Sequence, residues 1–262
     1  MGRELVAIVK RLEKHKPKDV ILLEGLVGLG SVAQLTAETI IKQKGAVKLA
    51  EFYSPYLGHI VLTTRPGYAE LPRYDLYWFS HENTDYLVLY TQFWQPKNDL
   101  GNFLLNYEVF DYIRKVYKPK FVLTMGGLII KETREEKEEE QVYYIFTSEE
   151  AKNFMEQRLG QTIENLTPQY LQVAGAAGLF LGFAQLHNIP GACILVEVRD
   201  PVLDIYAVKK LTEEVNRIFN LGLNMKEIEE KIKEQEELLK EIKEKTEEIL
   251  RRIKPQQDKY RI

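Results

Sequence analysis

Cysteine is almost missing from this chain. Cys193 is the only one in 262 residues, so no intrachain disulfide can form, and a reducing compartment is the expected setting. Net charge is almost missing too: 36 Lys plus Arg face 39 Asp plus Glu, a formal balance of −3. That removes the electrostatic case for general binding to nucleic acid or an anionic membrane. No apolar run approaches the roughly 18 residues of a membrane span, and the opening MGRELVAIVKRLEKHKPKD is too charged for a signal peptide. A soluble, cytoplasmic protein is expected. Histidine is scarce: His15, His59, His81 and His187 lie far apart, in no metal-ligand spacing. There is no G-x-S-x-G elbow and no Gly-Lys-Ser/Thr of a P-loop. Cys193 sits in GACILVEV without an activating neighbour, which reads as an inert core thiol. No catalytic residue, metal ligand or cofactor is assigned.

What is present is alternation. Strand-like runs VILLE (20–24), VKLAEFYS, HIVLTT, DYLVLYTQF (85–93), KFVLTMGG (120–127), VYYIFT and ACILVEV are interleaved with helical patterns. Those patterns are GSVAQLTAETIIKQKG, GNFLLNYEVFDYIRKVY, a stretch from Ser148, VAGAAGLFLGFAQLHNI and 202–220, the last with Asp200-Pro201 as a start signal. Such a pattern predicts an α/β three-layer sandwich with a mostly parallel central sheet, over residues 1–222.

Composition changes near Gly222. From Met225 to Lys254 the chain is almost wholly Glu, Lys, Arg, Ile and Leu. Met225, Ile228, Ile232, Leu239, Ile242, Ile249 and Ile253 recur in alternating steps of three and four, with Gln235 and Thr246 filling the remaining seam positions. This is a four-heptad coiled-coil pattern, and residues 223–254 are expected to form one projecting helix of roughly 45 Å. An amphipathic helix packed back on its own domain is the alternative, but the stripe is narrow for that. Isoleucine at the second seam position disfavours a parallel dimer, so a homo-oligomer, with a tetramer expected, follows.

VILLEGLVGLGSVAQLTAETI (20–40) raises a different chemistry. Gly28, Gly30 and Ala33 satisfy G-x-G-x-x-A, and Glu51 follows 21 residues beyond Gly30, where a dinucleotide site places its ribose-binding acid. The turn LVGLG is long and apolar, however, and offers little to a phosphate. Glycines that allow positive φ and close strand–helix packing are the competing reading.

That leading segment, then YTQFWQP (90–96), TMGGLI (124–129), AGAAGLFLGFAQLHNIPGACILVEV and DPVLDIYAVKKLTEEVNRIFNLGLN follow one another in order. Together, over about residues 18 to 224, they resemble the archaeal branch of the proteasome assembly chaperone family, homologues of the second eukaryotic assembly chaperone. The resemblance implies a nucleoside-phosphorylase-like α/β fold without established catalysis. It also implies that Gly25, Gly28 and Gly30, with Gly126 and Gly127, are fold-building. Gln92 and Pro96 match a "Q-P" motif at a strand's end, where a small-ligand pocket is possible.

The tail 255–262 ends in QQDKYRI. Proteins that dock on the proteasome's outer α-ring commonly end in a hydrophobic-tyrosine-any tripeptide; here Tyr260, Arg261 and Ile262 depart from that order. An aromatic and an aliphatic residue on a projecting helix still make an anchor, and several tails on one oligomer add avidity. The leading expectation is a non-enzymatic chaperone or activator-like partner of the proteasome α-ring or α subunits. An ATP-grasp-like or NAD-dependent enzyme and a coiled-coil scaffold are the alternatives.

Overall fold

Apolar runs set the sheet. β2 (Val20–Gly25) is buried at every position, as a strand covered by helices on both faces must be. It lies inside an eight-stranded sheet with β1 (Ile8–Arg11), β3 (Val47–Tyr53), β6 (Arg73–His81), β7 (Thr84–Tyr90), β8 (Phe121–Leu128), β9 (Val142–Phe146) and β10 (Gly191–Glu197). The order across the sheet is β1-β3-β6-β7-β2-β8-β10-β9. β4 (Leu62–Arg65) and β5 (Tyr68–Glu70) form a separate antiparallel hairpin. The structure, a computed structural model, describes residues 6–13, 17–92, 95–129, 141–164 and 170–233.

The central strands β7, β2, β8 and β10 run parallel, as expected, while the flanking pairs are antiparallel. The sequence pattern missed β1, β5 and β6. β6 reads RYDLYWFSH, and charges at Arg73 and Asp75 disguise it as a loop. The strand tolerates them because Arg73 Nε meets Asp75 Oδ1 at 2.9 Å and Lys48 Nζ meets Asp75 Oδ2 at 2.9 Å.

Among the described residues five helices cover the sheet: α1 (Val32–Gln43), α2 (Asp99–Tyr117), α3 (Glu149–Leu159), α4 (Gly175–Leu186) and α5 (Ile205–Phe219). Leu22 belongs to a buried cluster with Phe110 of α2 and Phe180 of α4. Strand alternation turns Ile21 and Leu23 to the opposite face, where they are equally buried. The helices α1 and α5 meet there, with Thr36 and Thr212 hydroxyls 3.0 Å apart. His187, just past α4, stacks on Phe110 at 5.9 Å.

Side-chain caps start three of the helices: Asn98 accepts from Gly101 N–H, Ser148 from Ala151 N–H and Asp204 from Ala207 N–H. The start of α5 therefore falls at Asp204 rather than at Asp200-Pro201. Asp200 Oδ1 is committed instead to a turn, accepting from Val202 N–H at 2.8 Å and Leu203 N–H at 3.3 Å. No helix among the described residues is long and apolar enough to cross a membrane.

The chain divides into two units, Met1–Leu223 and Asn224–Ile262. Helix resumes at 226–233. Ile228 is buried, Met225 and Ile232 are half-buried, and Lys226, Glu229 and Glu230 are exposed. The remaining seam positions Gln235, Leu239, Ile242, Thr246, Ile249 and Ile253 lie outside the described residues, as do Tyr260, Arg261 and Ile262.

Candidate functional site

The glycine turn after β2 is built by close approach. A Cβ on Gly25 would stand 2.2 Å from Ala37 Cβ and 3.1 Å from Ala33 O, so α1 crosses the strand's end at glycine distance. Gly28 is extended, at φ −152°, with open space around it. Gly30 is left-handed, at φ 63°. Its N–H donates to Pro201 O at 2.8 Å, and its carbonyl accepts from Asp204 N–H at 3.0 Å. Ser31 Oγ adds a bond to Val202 O at 2.9 Å. The turn is thus laced to the loop between β10 and α5, and the Gly30 N–H that a pyrophosphate needs is already committed.

Glu51 does not reach this turn. β6 and β7 intervene between β3 and β2, three strand spacings or roughly 14 Å. The carboxylate instead accepts from Tyr53 Oη at 2.8 Å and pairs with Lys10 at 3.0 Å, Lys48 at 3.4 Å and Arg73 at 3.4 Å. Burial pushes it up, but the Tyr53 and Lys10 hydrogen bonds and the Arg73 and Lys48 charges prevail and hold it below its ordinary value. The spacing that suggested a ribose contact belongs to a structural ion cluster.

A cavity of about 460 Å³ opens at the carboxyl ends of β2, β8 and β10. It lies at the switch point of the sheet: from β2 the chain goes on to β3, and from β8 to β9, in opposite directions across the sheet, where open α/β sheets hold ligands. The glycine turn contributes Gly28, β8 contributes Gly126 and Gly127, and α4 contributes its first turn, Ala174 to Ala177. Both β8 glycines are close-approach positions, since a Cβ would stand 3.0 Å from Leu195 Cδ2 at Gly126 and 2.6 Å from Leu29 O at Gly127. Of the "Q-P" segment, Gln95 lines the cavity, its side-chain amide donating to Val27 O. Gln92 and Pro96 are not part of the lining, and Gln34 donates to the Gln92 carbonyl.

Glu24 is the residue the sequence reading passed over. Its side chain is 1% exposed and lines the cavity. Leu26 N–H donates to Oε1 at 2.9 Å, and Oε2 has no partner among the described residues. Burial pushes the carboxyl up to about 7, against the lowering effect of the Leu26 and Met125 N–H groups. The signal was available: an acid inside the apolar run VILLEG of a strand buried on both faces must be neutralised or partnered. Cys193, fully buried on β10, has its thiol pushed up to about 12 by burial, which fits an unreactive core cysteine.

Comparison with known proteins agrees with this architecture. An uncharacterized protein of Methanocaldococcus jannaschii is 30% identical over 232 residues, 88% of this chain and 86% of that one. The crystal structure of Pyrococcus furiosus PbaB, an archaeal proteasome activator, superposes with a TM-score of 0.82 at 27% identity, covering 90% of this chain and 98% of that chain. Pyrococcus furiosus PbaA, an archaeal homolog of proteasome-assembly chaperone, gives a TM-score of 0.72 at 21% identity, covering 97% and 99%. The PAC2 family model matches residues 22–243, a span that takes in the glycine turn, the cavity and the parallel core from within β2 onward, and the chain belongs to the PAC2 family.

Proposed function

We propose that this chain is a non-enzymatic partner of the proteasome, an assembly chaperone or activator-like protein that binds the core particle's α-ring or its unassembled α subunits. The observation that carries the reading is the likeness to the Pyrococcus furiosus proteasome activator, which extends over nearly the whole of that protein at 27% identity. Family membership over residues 22–243 supports it. The protein acts as a homo-oligomer, taken as a tetramer, with helices over 223–254 joining or flanking the protomers. The spacing of Met225, Ile228 and Ile232 in steps of three and four, continued by the positions to Ile253, is the pattern that supports an apolar seam. Tyr260, Arg261 and Ile262, carried beyond it, contribute to the α-subunit contact.

A pull-down with purified α subunits tests this, comparing the full chain with one ending at Gly222. Capture by the full chain and weakened capture by the short one is the expected result. Equal capture confines binding to the α/β domain and removes the tail from the proposal. Absence of capture by either overturns the proteasome reading.

A further inference from the structure

α4 is a surface helix without a charge. Its sequence GAAGLFLGFAQL holds Gln185 as its only residue with a polar side chain, yet Phe180, Phe183 and Ala184 are its only buried positions. A helix at a protein surface ordinarily carries charge on its outer side, and one that is apolar all round is ordinarily buried. α5, on the opposite face of the sheet, follows that rule with Lys209, Lys210, Glu213, Glu214 and Arg217 among its apolar positions. α4 departs from it.

The uncovered side continues onto α2. Phe103 of α2 meets Phe183 of α4 edge to face at 5.4 Å and stacks on Tyr107 of its own helix at 6.4 Å. Leu100 is 64% exposed, Phe103 48% and Leu186 66%. Tyr107 and Leu179 are half-buried, and Gly182 is exposed with open space where a side chain would stand. At roughly 200 Å² for a large apolar side chain, the three exposed residues alone leave about 350 Å² of apolar surface. Patches of that size on a protein mark interaction sites.

Charge and area identify the occupant as a second copy. α4 has no group to pair with a charged partner, and along α2 the acids Asp99, Glu108 and Asp111 precede Arg114 and Lys115. The same face, turned through a two-fold axis across α2, sets apolar ridge on apolar ridge and the acidic end of each α2 towards the basic end of the other. Asp99 is exposed, and the Lys115 ammonium has donors beyond its single contact with Asp111 at 2.5 Å. A two-fold contact buries the patch in both partners at once. That doubles it to about 700 Å², and Tyr107 and Leu179 bring it towards the roughly 900–1,000 Å² of apolar area in a standard interface. Gly182 removes a side chain where the two α4 helices approach.

We propose that the outer side of α2 and α4 is a two-fold interface between copies of this chain, built on Leu100, Phe103, Tyr107, Leu179, Gly182 and Leu186. It deepens the homo-oligomer reading above but does not depend on the seam over 225–253. The interface pairs two protomers whether or not those helices associate.

Analytical ultracentrifugation of the full chain at about 20 μM, where weak association is populated, separates face from seam. Ile242→Lys with Ile249→Lys breaks the seam, and this variant should sediment as a dimer. Adding Gly182→Lys and Leu186→Lys, both at exposed helix positions, should convert it to a monomer whose thermal midpoint confirms folding. A crosslink decides independently of those lysines. In the seam-broken chain Gly182→Cys should be captured as a covalent dimer by a short bismaleimide, selectively because the native Cys193 thiol is fully buried. Val202→Cys, 76% exposed in the loop before α5, should not be captured. A seam-broken chain of any mass other than a dimer overturns the interface; if wild type is then the larger species, the seam reading still stands. A dimer that survives the α4 lysines in a folded chain also overturns it, as does capture at Val202 without capture at Gly182. A wild type reduced to monomer by the α4 lysines alone supports this face and removes the seam.

Discussion

Gly25 and Ala37 are packed so closely that a methyl group on the glycine would come within 2.2 Å of the alanine's own. The backbone of β2 and the side of α1 meet there with no space for a further atom, beside the mouth of the cavity.

Gly25→Ala should therefore destabilise the protein by about 2 kcal/mol, the cost of forcing a methyl into a packed contact. The double change Gly25→Ala with Ala37→Gly should recover much of the loss, because it exchanges which partner carries the methyl. Urea midpoints of the three variants measure both effects. If Gly25→Ala is neutral, the helix is free to shift and the contact does not fix its position.

Glu51→Gln should cost stability at neutral pH and lose that deficit in acid. The folded chain holds the Glu51 carboxyl below its ordinary value, so the folded state releases its proton more readily than the unfolded one. The resulting stability is present above the unfolded value and disappears as pH falls through the folded one. Thermal midpoints of wild type and variant should be separated at about pH 7 and converge towards about pH 3. Curves that remain parallel would assign the effect to packing.

Glu24 should behave with the opposite sign. Its carboxyl is pushed up from an ordinary 4.5 to about 7, so between those values the unfolded chain loses a proton that the folded chain keeps. Wild-type stability falls with rising pH through this window and levels off above it. Glu24→Gln removes this term, and its stability relative to wild type should rise from about pH 5 to about pH 7 and then stay constant. Urea titrations at three pH values check it.

Deletion of residues 256–262 should weaken binding to immobilised α subunits about a hundredfold if several tails act together. The oligomer should survive, because the proposed seam ends at Ile253. Surface plasmon resonance and light scattering separate the two outcomes. An unchanged affinity would place the contact on the α/β domain.

The parallel core was legible because it is written in continuous segments. VILLEG, KFVLTMGG and GACILVEV are buried on both faces, so each is an apolar run that needs no partner to be recognised. β6 was hidden because Arg73 and Asp75 are stabilised by Lys48 and Glu51 from another strand, and no local window contains both sides of that cluster. The cavity was hidden for a related reason. Its walls come from 24, 26–29, 95, 125–128, 172–177, 195 and 201, segments that only the sheet order brings together. The dinucleotide spacing carried no weight because distance along the chain does not reveal a hairpin inserted between two strands.

The sheet order also imposes a schedule on synthesis. β2 pairs with β7 at residues 85–90 and with β8 at 121–124, so a strand whose six residues are all buried leaves the ribosome about a hundred residues before its second neighbour exists. At ordinary elongation rates of roughly 5–20 residues per second, that is several seconds of apolar backbone with no lasting partner. During that time β3, β6 and β7 can assemble as an antiparallel ribbon, β6 and β7 joined by a tight turn and β3 and β6 by the segment that carries the β4–β5 hairpin. The nascent chain thus offers β2 a single docking edge, at β7, until β8 arrives to enclose it from the other side.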